Sequence, residues 1–158
     1  IHNDREDPDM LMIKKFDKDY NDKLILFLQE CFPQSGRKLE LDGRHRMYSN
    51  IDAFFENFWC LFDENDIIGT VALKKLDEEK CELKSLYLLQ KYQGKGLGFR
   101  LLKTAILKAQ KKGYKEMYLD TLSTSVRALA LYERAGFVRT ERYNENYDAD
   151  IFMVLKID

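Results

Sequence analysis

Prolines and histidines are scarce in this chain, two of each in 158 residues, and it has three cysteines and one tryptophan. The two histidines, His2 and His45, leave too few imidazoles for a histidine-built metal centre. With His2 in a polar N-terminal stretch, they also disfavour a Ser–His or Cys–His nucleophile pair. Cys31, Cys60 and Cys81 are odd in number and widely spaced, which excludes a disulfide framework and a zinc pattern. Each lies in an apolar segment and reads as a small reduced core residue. Long hydrophobic runs are missing. The stretch Leu24–Leu28 is far too short to span a bilayer, and no signal-peptide pattern is visible. Neither sign of charge is in excess. Lys plus Arg number 26 against 27 for Asp plus Glu, a net charge of −1, so no basic field draws the chain to nucleic acid or an anionic membrane. We expect a cytoplasmic protein with neither as a partner.

What is present is a core. Hydrophobic residues make up 45% of the chain and aromatics 13%, the composition of a globular domain. The length predicts one domain over residues 10–158 behind a polar tail at 1–9. Leu11–Phe16 reads as a strand. Asp17 or Asp19 caps a helix with the stripe Tyr20, Leu24, Phe27, Leu28 and Cys31, ended by Pro33. A second helix is expected over Ser49–Asn57, with Ser49 and Asp52 as a capping-box variant. Phe58–Phe62 and Ile67–Lys75 form a hairpin across Asp63–Asp66, with a bulge at Gly69. The Cys81–Leu89 strand completes an antiparallel meander. Tyr114–Leu119 is a strand, and one of Ser123, Thr124 or Ser125 caps a helix running to Ala135. Phe137–Tyr143 and Ile151–Ile157 close the chain as a hairpin.

The chain is organised around Leu83–Lys112. A dense apolar strand meets Gln93-Gly94-Lys95-Gly96-Leu97-Gly98. A proline-free helix follows, with Leu97, Leu101, Leu102, Ala105, Ile106 and Ala109 on one face and Gly113 as its cap. Three glycines in five residues weaken any regular element, so a function should offset the cost. A strand turning through glycines into a helix aims backbone N–H groups at one spot, where the helix dipole favours an anion. The P-loop pattern is absent. The dinucleotide fingerprint fails because Phe99 stands where its third glycine belongs. A helix between two strands implies a right-handed parallel crossover, so antiparallel pairing must give way to parallel pairing beside this glycine turn.

Gln93–Gly98 closely resembles the acetyl-CoA signature of the GNAT superfamily of N-acetyltransferases, Gln/Arg-x-x-Gly-x-Gly/Ala. Leu83–Leu88 with Tyr92–Gly98 resembles the family's fourth strand and pyrophosphate loop. About thirty residues on, Ala128–Phe137 resembles its later signature, Leu-Tyr-x-x-x-Gly-Phe. The resemblance covers residues 83–137. It implies an α/β (α+β) fold: a mixed, mostly antiparallel seven-stranded sheet with helices on both faces, its fourth and fifth strands splayed into a slot.

The slot would hold the pantetheine arm of acetyl-CoA against backbone groups of Leu86, Tyr87 and Leu88. Gln93, Gly94, Lys95, Gly96, Leu97 and Gly98 would cradle the pyrophosphate. Lys91 and Arg100 are further candidates to neutralise it. Tyr132 is the general-acid candidate by its match to the motif. Glu82 is the base candidate, through a water, with Asp120 as a weaker alternative. Ser125 stands where the family often has a cofactor-contacting asparagine; helix capping is its other reading. The resemblance thus implies acetyl transfer to a primary amine by direct attack in a ternary complex. Its alternative is a non-catalytic acyl-CoA sensor on the same fold. The acceptor, a small molecule or a peptide, stays open, with Arg37, Arg44, His45 and Arg46 offering charge for an anion and Glu145, Asp148 and Asp150 for a cation. Monomer and homodimer both stay open.

Overall fold

The computed structural model describes residues 11–157, so the tail at 1–9 lies outside it. Strand β1 (Met12–Lys15) leads to Asp17, whose carboxylate accepts from Asp19 N at 2.9 Å and caps the turn entering α1 (Asn21–Gln34). Pro33 sits inside the last turn of α1 rather than beyond it. It has no N–H to continue the ladder, and the helix stops one residue later. The helix expected over Ser49–Asn57 is shorter. A 3-10 turn at Arg46–Ser49 precedes α2 (Ile51–Phe54), and Asn50 caps it without a side-chain bond, so Ser49 and Asp52 form no capping box. The sheet competes for this segment. Phe55 is extended and packs on Tyr48 and Phe58, and Glu56 N already bonds Leu73 O at 2.9 Å.

Strands β2 (Asn57–Asp63), β3 (Asp66–Lys75) and β4 (Lys80–Leu88) form the antiparallel meander. The register steps from Leu61↔Gly69 to Phe62↔Ile67, leaving Ile68 as the extra residue of a bulge beside Gly69. A Cβ on Gly69 would stand 3.1 Å from Leu101 Cδ1, Leu88 Cδ1 and Tyr87 O. Glycine there lets α3 (Leu97–Lys112) approach the sheet. That helix buries Leu97, Leu101, Leu102, Ala105 and Ala109, at about 2 kcal/mol for each leucine removed from water. Gly113, at φ +88, ends it with bonds to Ala109 O and Gln110 O.

Then come β5 (Glu116–Thr121), α4 (Val126–Ala135), β6 (Val138–Thr140) and β7 (Ile151–Lys156). The sheet order is β1-β2-β3-β4-β5-β7-β6, with β4/β5 as its parallel pair. The mixed seven-stranded sheet is therefore as expected, although β6 is only three residues long. Helices cover both faces. Tyr87 meets Phe32 of α1, while its neighbour Leu88 meets Leu101 of α3 over Gly69, and adjacent strand residues face opposite ways. Cys31, Cys60 and Cys81 are buried and free, and burial pushes the thiols of Cys60 and Cys81 up to about 12. Among the described residues no helix is long and apolar enough to cross a membrane.

Candidate active site

The parallel pairing of β4 with β5 lasts three residues, ending at Glu82↔Tyr118. Beyond it β4 keeps β3 and β5 keeps β7, so the two strands part. A second bulge lies in the parting stretch. Thr70 pairs Tyr87 and Ala72 pairs Lys84, which sets both Ser85 and Leu86 against Val71. Ser85 has φ +54, a left-handed conformation unusual outside glycine. Tertiary contacts hold it there: Thr70 Oγ1 donates to Ser85 O at 2.7 Å, and Tyr48 Oη and Ser85 Oγ stand 2.7 Å apart. The bend opens a cavity of about 400 Å³. Leu83–Tyr87 form one wall and Leu119–Leu122 the other, with Ser125, Ala128 and Tyr132 closing the α4 side.

β4 leads on to the glycine turn. Gly94 (φ +81) and Gly96 (φ +80) are left-handed, and a Cβ on either would meet nothing within 4 Å, so the turn presents bare backbone to solvent. Gly96 is the N-cap of α3 and no side chain caps it. The first helical bond runs from Arg100 N to Gly96 O. The amides of Leu97, Gly98 and Phe99 precede it, at the positive end of a 16-residue helix. Lys91 and Lys95 flank the Tyr92 ring nearby, at 5.4 and 6.0 Å. Gln93 Nε2 donates to Leu88 O at 3.4 Å. Arg100 reaches the other way, its Nη2 donating to Leu11 O at 2.8 Å. A helix start with open amides and no Cβ in the way fits a diphosphate.

Tyr132 is buried on α4 and packs edge-on against Phe137, with centroids 5.8 Å apart. Burial pushes its phenol well above the usual tyrosine range; Tyr87 and Asp120 add to the shift and Arg37 opposes it. The group thus keeps its proton at neutral pH beside the cavity. Ser125 sits at the N-cap of α4 but makes no side-chain cap bond. Its backbone (φ −83, ψ 65) is not the extended one that aims a hydroxyl at the first-turn amides, and it lies on the cavity wall instead.

Glu82 is buried at the last paired position of β4 and is not part of that wall. Tyr143 Oη donates to its Oε2 at 2.5 Å and Asn144 Nδ2 at 3.1 Å. Asp120, on the opposite strand, does line the cavity. It accepts from Asn144 Nδ2 at 2.6 Å and from Asn146 Nδ2 at 3.2 Å. Lys84 Nζ stands 3.8 Å from Glu82 and 4.0 Å from Asp120.

The model of the acetyltransferase (GNAT) family matches residues 21–137, most of the chain. The chain belongs to this family. Among curated relatives, the uncharacterized N-acetyltransferase YjgM of Escherichia coli is 32% identical over 100 residues, covering 61% of this chain. The match spans 58% of that relative's length. A GNAT-family acetyltransferase from Staphylococcus aureus superposes with a TM-score of 0.84 at 21% identity, over 94% of this chain and 99% of that one. The PaiA N-acetyltransferase of Thermoplasma acidophilum, solved in complex with coenzyme A, has a TM-score of 0.76 at 24% identity, over 92% and 98%. Likeness at these identities is likeness of fold.

The GNAT domain also contains site residues that sequence reading did not single out. Tyr143 and Asn144 come from the loop after β6. The one available signal is Asn144-x-Asn146-x-Asp148, which marks successive Asx turns: Asn144 Oδ1 accepts from Asn146 N at 3.0 Å and Asn146 Oδ1 from Asp148 N at 3.2 Å. The turns leave both amide NH2 groups free to face the carboxylates. Tyr48, in the 3-10 turn Arg46–Ser49, precedes the helix expected from Ser49 and carries no signal of its own in the sequence. On the same side of the GNAT domain, Arg37, Arg44 and His45 line the cavity, as does Asp148. Asp150 is occupied elsewhere, accepting from Ser123 N and Oγ at 2.7 and 2.6 Å.

Proposed function

We propose that this domain transfers an acetyl group from acetyl-CoA to a primary amine by direct attack in a ternary complex. The cavity between the parting ends of β4 and β5 carries this reading, because a protonated phenol and an accepting carboxylate share it. The backbone amides at the start of α3 hold the diphosphate, with Gln93–Gly98 as the cradle and Lys91 and Lys95 adding positive potential. Leu86, Tyr87 and Leu88 present the β4 edge left unpaired by β5 to the amides of the pantetheine arm, and Ser125 faces the same arm. Bound there, acetyl-CoA supplies a thioester carbonyl, so that a C–N bond forms as the C–S bond breaks, and a thiolate leaving group.

Tyr132 Oη holds a proton for that sulfur. An ordinary thiol has a pKa near 8.5, so this assistance is worth roughly 2 kcal/mol at neutral pH. The acceptor has the harder proton problem. A lysine-like amine costs roughly 4–5 kcal/mol to deprotonate at pH 7, an α-amine about 1. Asp120 receives that proton at the cavity wall, and Glu82, reached through a water, is the second base.

Two measurements test this together: calorimetric titration with acetyl-CoA, and thiol release across an amine panel. Heat with turnover is expected. Heat without turnover on any amine would support the acyl-CoA sensor instead, and absence of heat would remove both.

A further inference from the structure

We propose that the acceptor is a compact amine that also carries a carboxylate, an amino-acid zwitterion, and that Arg37 is the residue that receives its carboxylate. The inference rests on the acetyltransferase reading and names the substrate class of that same cavity.

Arg37 and Arg44 both lie on the acceptor side, and the structure treats them differently. Arg44 is paired, to Asp148 at 2.9 Å and to Glu40 at 3.6 Å. Arg37 is half-buried on the cavity wall and has no carboxylate within ion-pair distance among the described residues. Its guanidinium lies over the rings of Tyr87 and Phe32, 5.4 and 5.9 Å from their centroids. Stacking offsets part of the desolvation of this cation and leaves its N–H edges for an anion. A half-buried guanidinium without a counter-ion, on the wall of a cavity, is a receptor for one.

His45 adds a second donor on the same wall. Its Nδ1 accepts from Glu40 N at 2.9 Å, so in the neutral ring the proton resides on Nε2. Burial lowers its pKa, and the charges of Arg44 and Arg37 act in the same sense against Glu40, so the ring is neutral at pH 7. One guanidinium and one neutral imidazole suit a carboxylate. A phosphate dianion would need more cationic charge and would face the carboxylates of Asp120 and Asp148 in the same cavity. Asp148 is already paired with Arg44, so Asp120 is the carboxylate that suits the acceptor's ammonium. Asp120 takes its two amide hydrogen bonds from neutral groups, with Lys84 only at the limit of ion-pair distance. The charges of Arg37 and Asp120 both reach the Tyr132 phenol, so an anion site and a cation site flank the place of reaction. The cavity holds about 400 Å³ in all, near the lower end for ligand sites. The Arg44–Asp148 bridge joins the loops on its two sides, which favours a small acceptor over a protein surface.

The test compares free amino acids, their carboxamides and their decarboxylated amines by thiol release, in the wild type, Arg37→Gln and Arg37→Lys. Calorimetry with acetyl-CoA and a melting curve accompany each variant. In the wild type the free acid should exceed its carboxamide by about 10- to 100-fold in kcat/KM, the range of a hydrogen-bonded charge pair. Arg37→Gln should bring that ratio near one, chiefly through KM, with acetyl-CoA affinity unchanged. Arg37→Lys should restore part of the preference. Carboxamides or plain amines used as well as the acids, a preference that survives Arg37→Gln, or turnover of no acid in the panel would each overturn the proposal. If acetyl-CoA binds and other amines are acetylated, the acetyltransferase reading stands without it. If acetyl-CoA does not bind, the underlying reading fails first.

Discussion

Glu82 and Asp120 share one side-chain amide: Asn144 Nδ2 lies 3.1 Å from Glu82 Oε2 and 2.6 Å from Asp120 Oδ2. The two carboxylates stand on the strands that part to form the cavity, one buried at the last paired position and the other on the wall. A loop residue more than twenty positions away from either bridges them. This arrangement puts Asp120 on the cavity wall and Glu82 behind it.

Asp120→Asn should therefore reduce kcat/KM more than Glu82→Gln, each within the about 100- to 10,000-fold range of a lost general base. Both should alter the acidic limb of the pH–rate profile. A profile unchanged in Glu82→Gln would exclude it as a base, and one unchanged in Asp120→Asn would leave the proton to water.

Tyr132→Phe should lower kcat about 10- to 1,000-fold while leaving the melting temperature and acetyl-CoA affinity close to wild type. Because burial raises this phenol above its ordinary value of 10.0, its ionisation should not reduce the wild-type rate between pH 7 and about 9. Wild-type turnover in the phenylalanine variant would remove Tyr132 from the mechanism.

Gly96→Val should abolish the heat of acetyl-CoA binding at a cost in stability of only about 1–2 kcal/mol, that of a left-handed β-branched residue. The added Cβ meets no neighbour within 4 Å, so the penalty is one of backbone conformation and of covering the amides. Binding at wild-type affinity would show that the turn is not the diphosphate cradle.

His45 gives a dependence of stability on pH. Its pKa in the folded protein lies below 6.5, through burial first and then the Arg44 charge. The unfolded chain therefore binds the proton more readily. Stability is fully present above about pH 6.5 and is lost as pH falls through that value toward the lower folded pKa. His45→Asn should flatten this part of the curve, as read from melting temperatures between pH 7.5 and 5.

Several elements were legible because their causes are local. The apolar face of α3, its cap at Gly113, the glycine turn over Gln93–Gly98, the Asp63–Asp66 turn and the bulge beside Gly69 follow from periodicity and from backbone conformations that few residues adopt. The helix expected over Ser49–Asn57 failed because its local signals lost to the sheet, which claims Glu56 through Leu73. Ser125 kept its position at the head of α4 but not its capping bond.

Sequence by itself determined the strand, glycine turn and helix around Gln93–Gly98, since the requirement for residues without Cβ is written into the residues themselves. Only the tertiary structure decided how the cavity is lined. The left-handed Ser85 persists because Thr70 and Tyr48 hold it from 15 and 37 positions away. Asn144 joins Glu82 to Asp120 across 62 and 24 positions. Arg44 has an acid partner 104 positions along the chain, and Arg37 has none within reach among the described residues. Distances of that kind are set by how the sheet and its loops close on one another, and no short stretch of chain carries them.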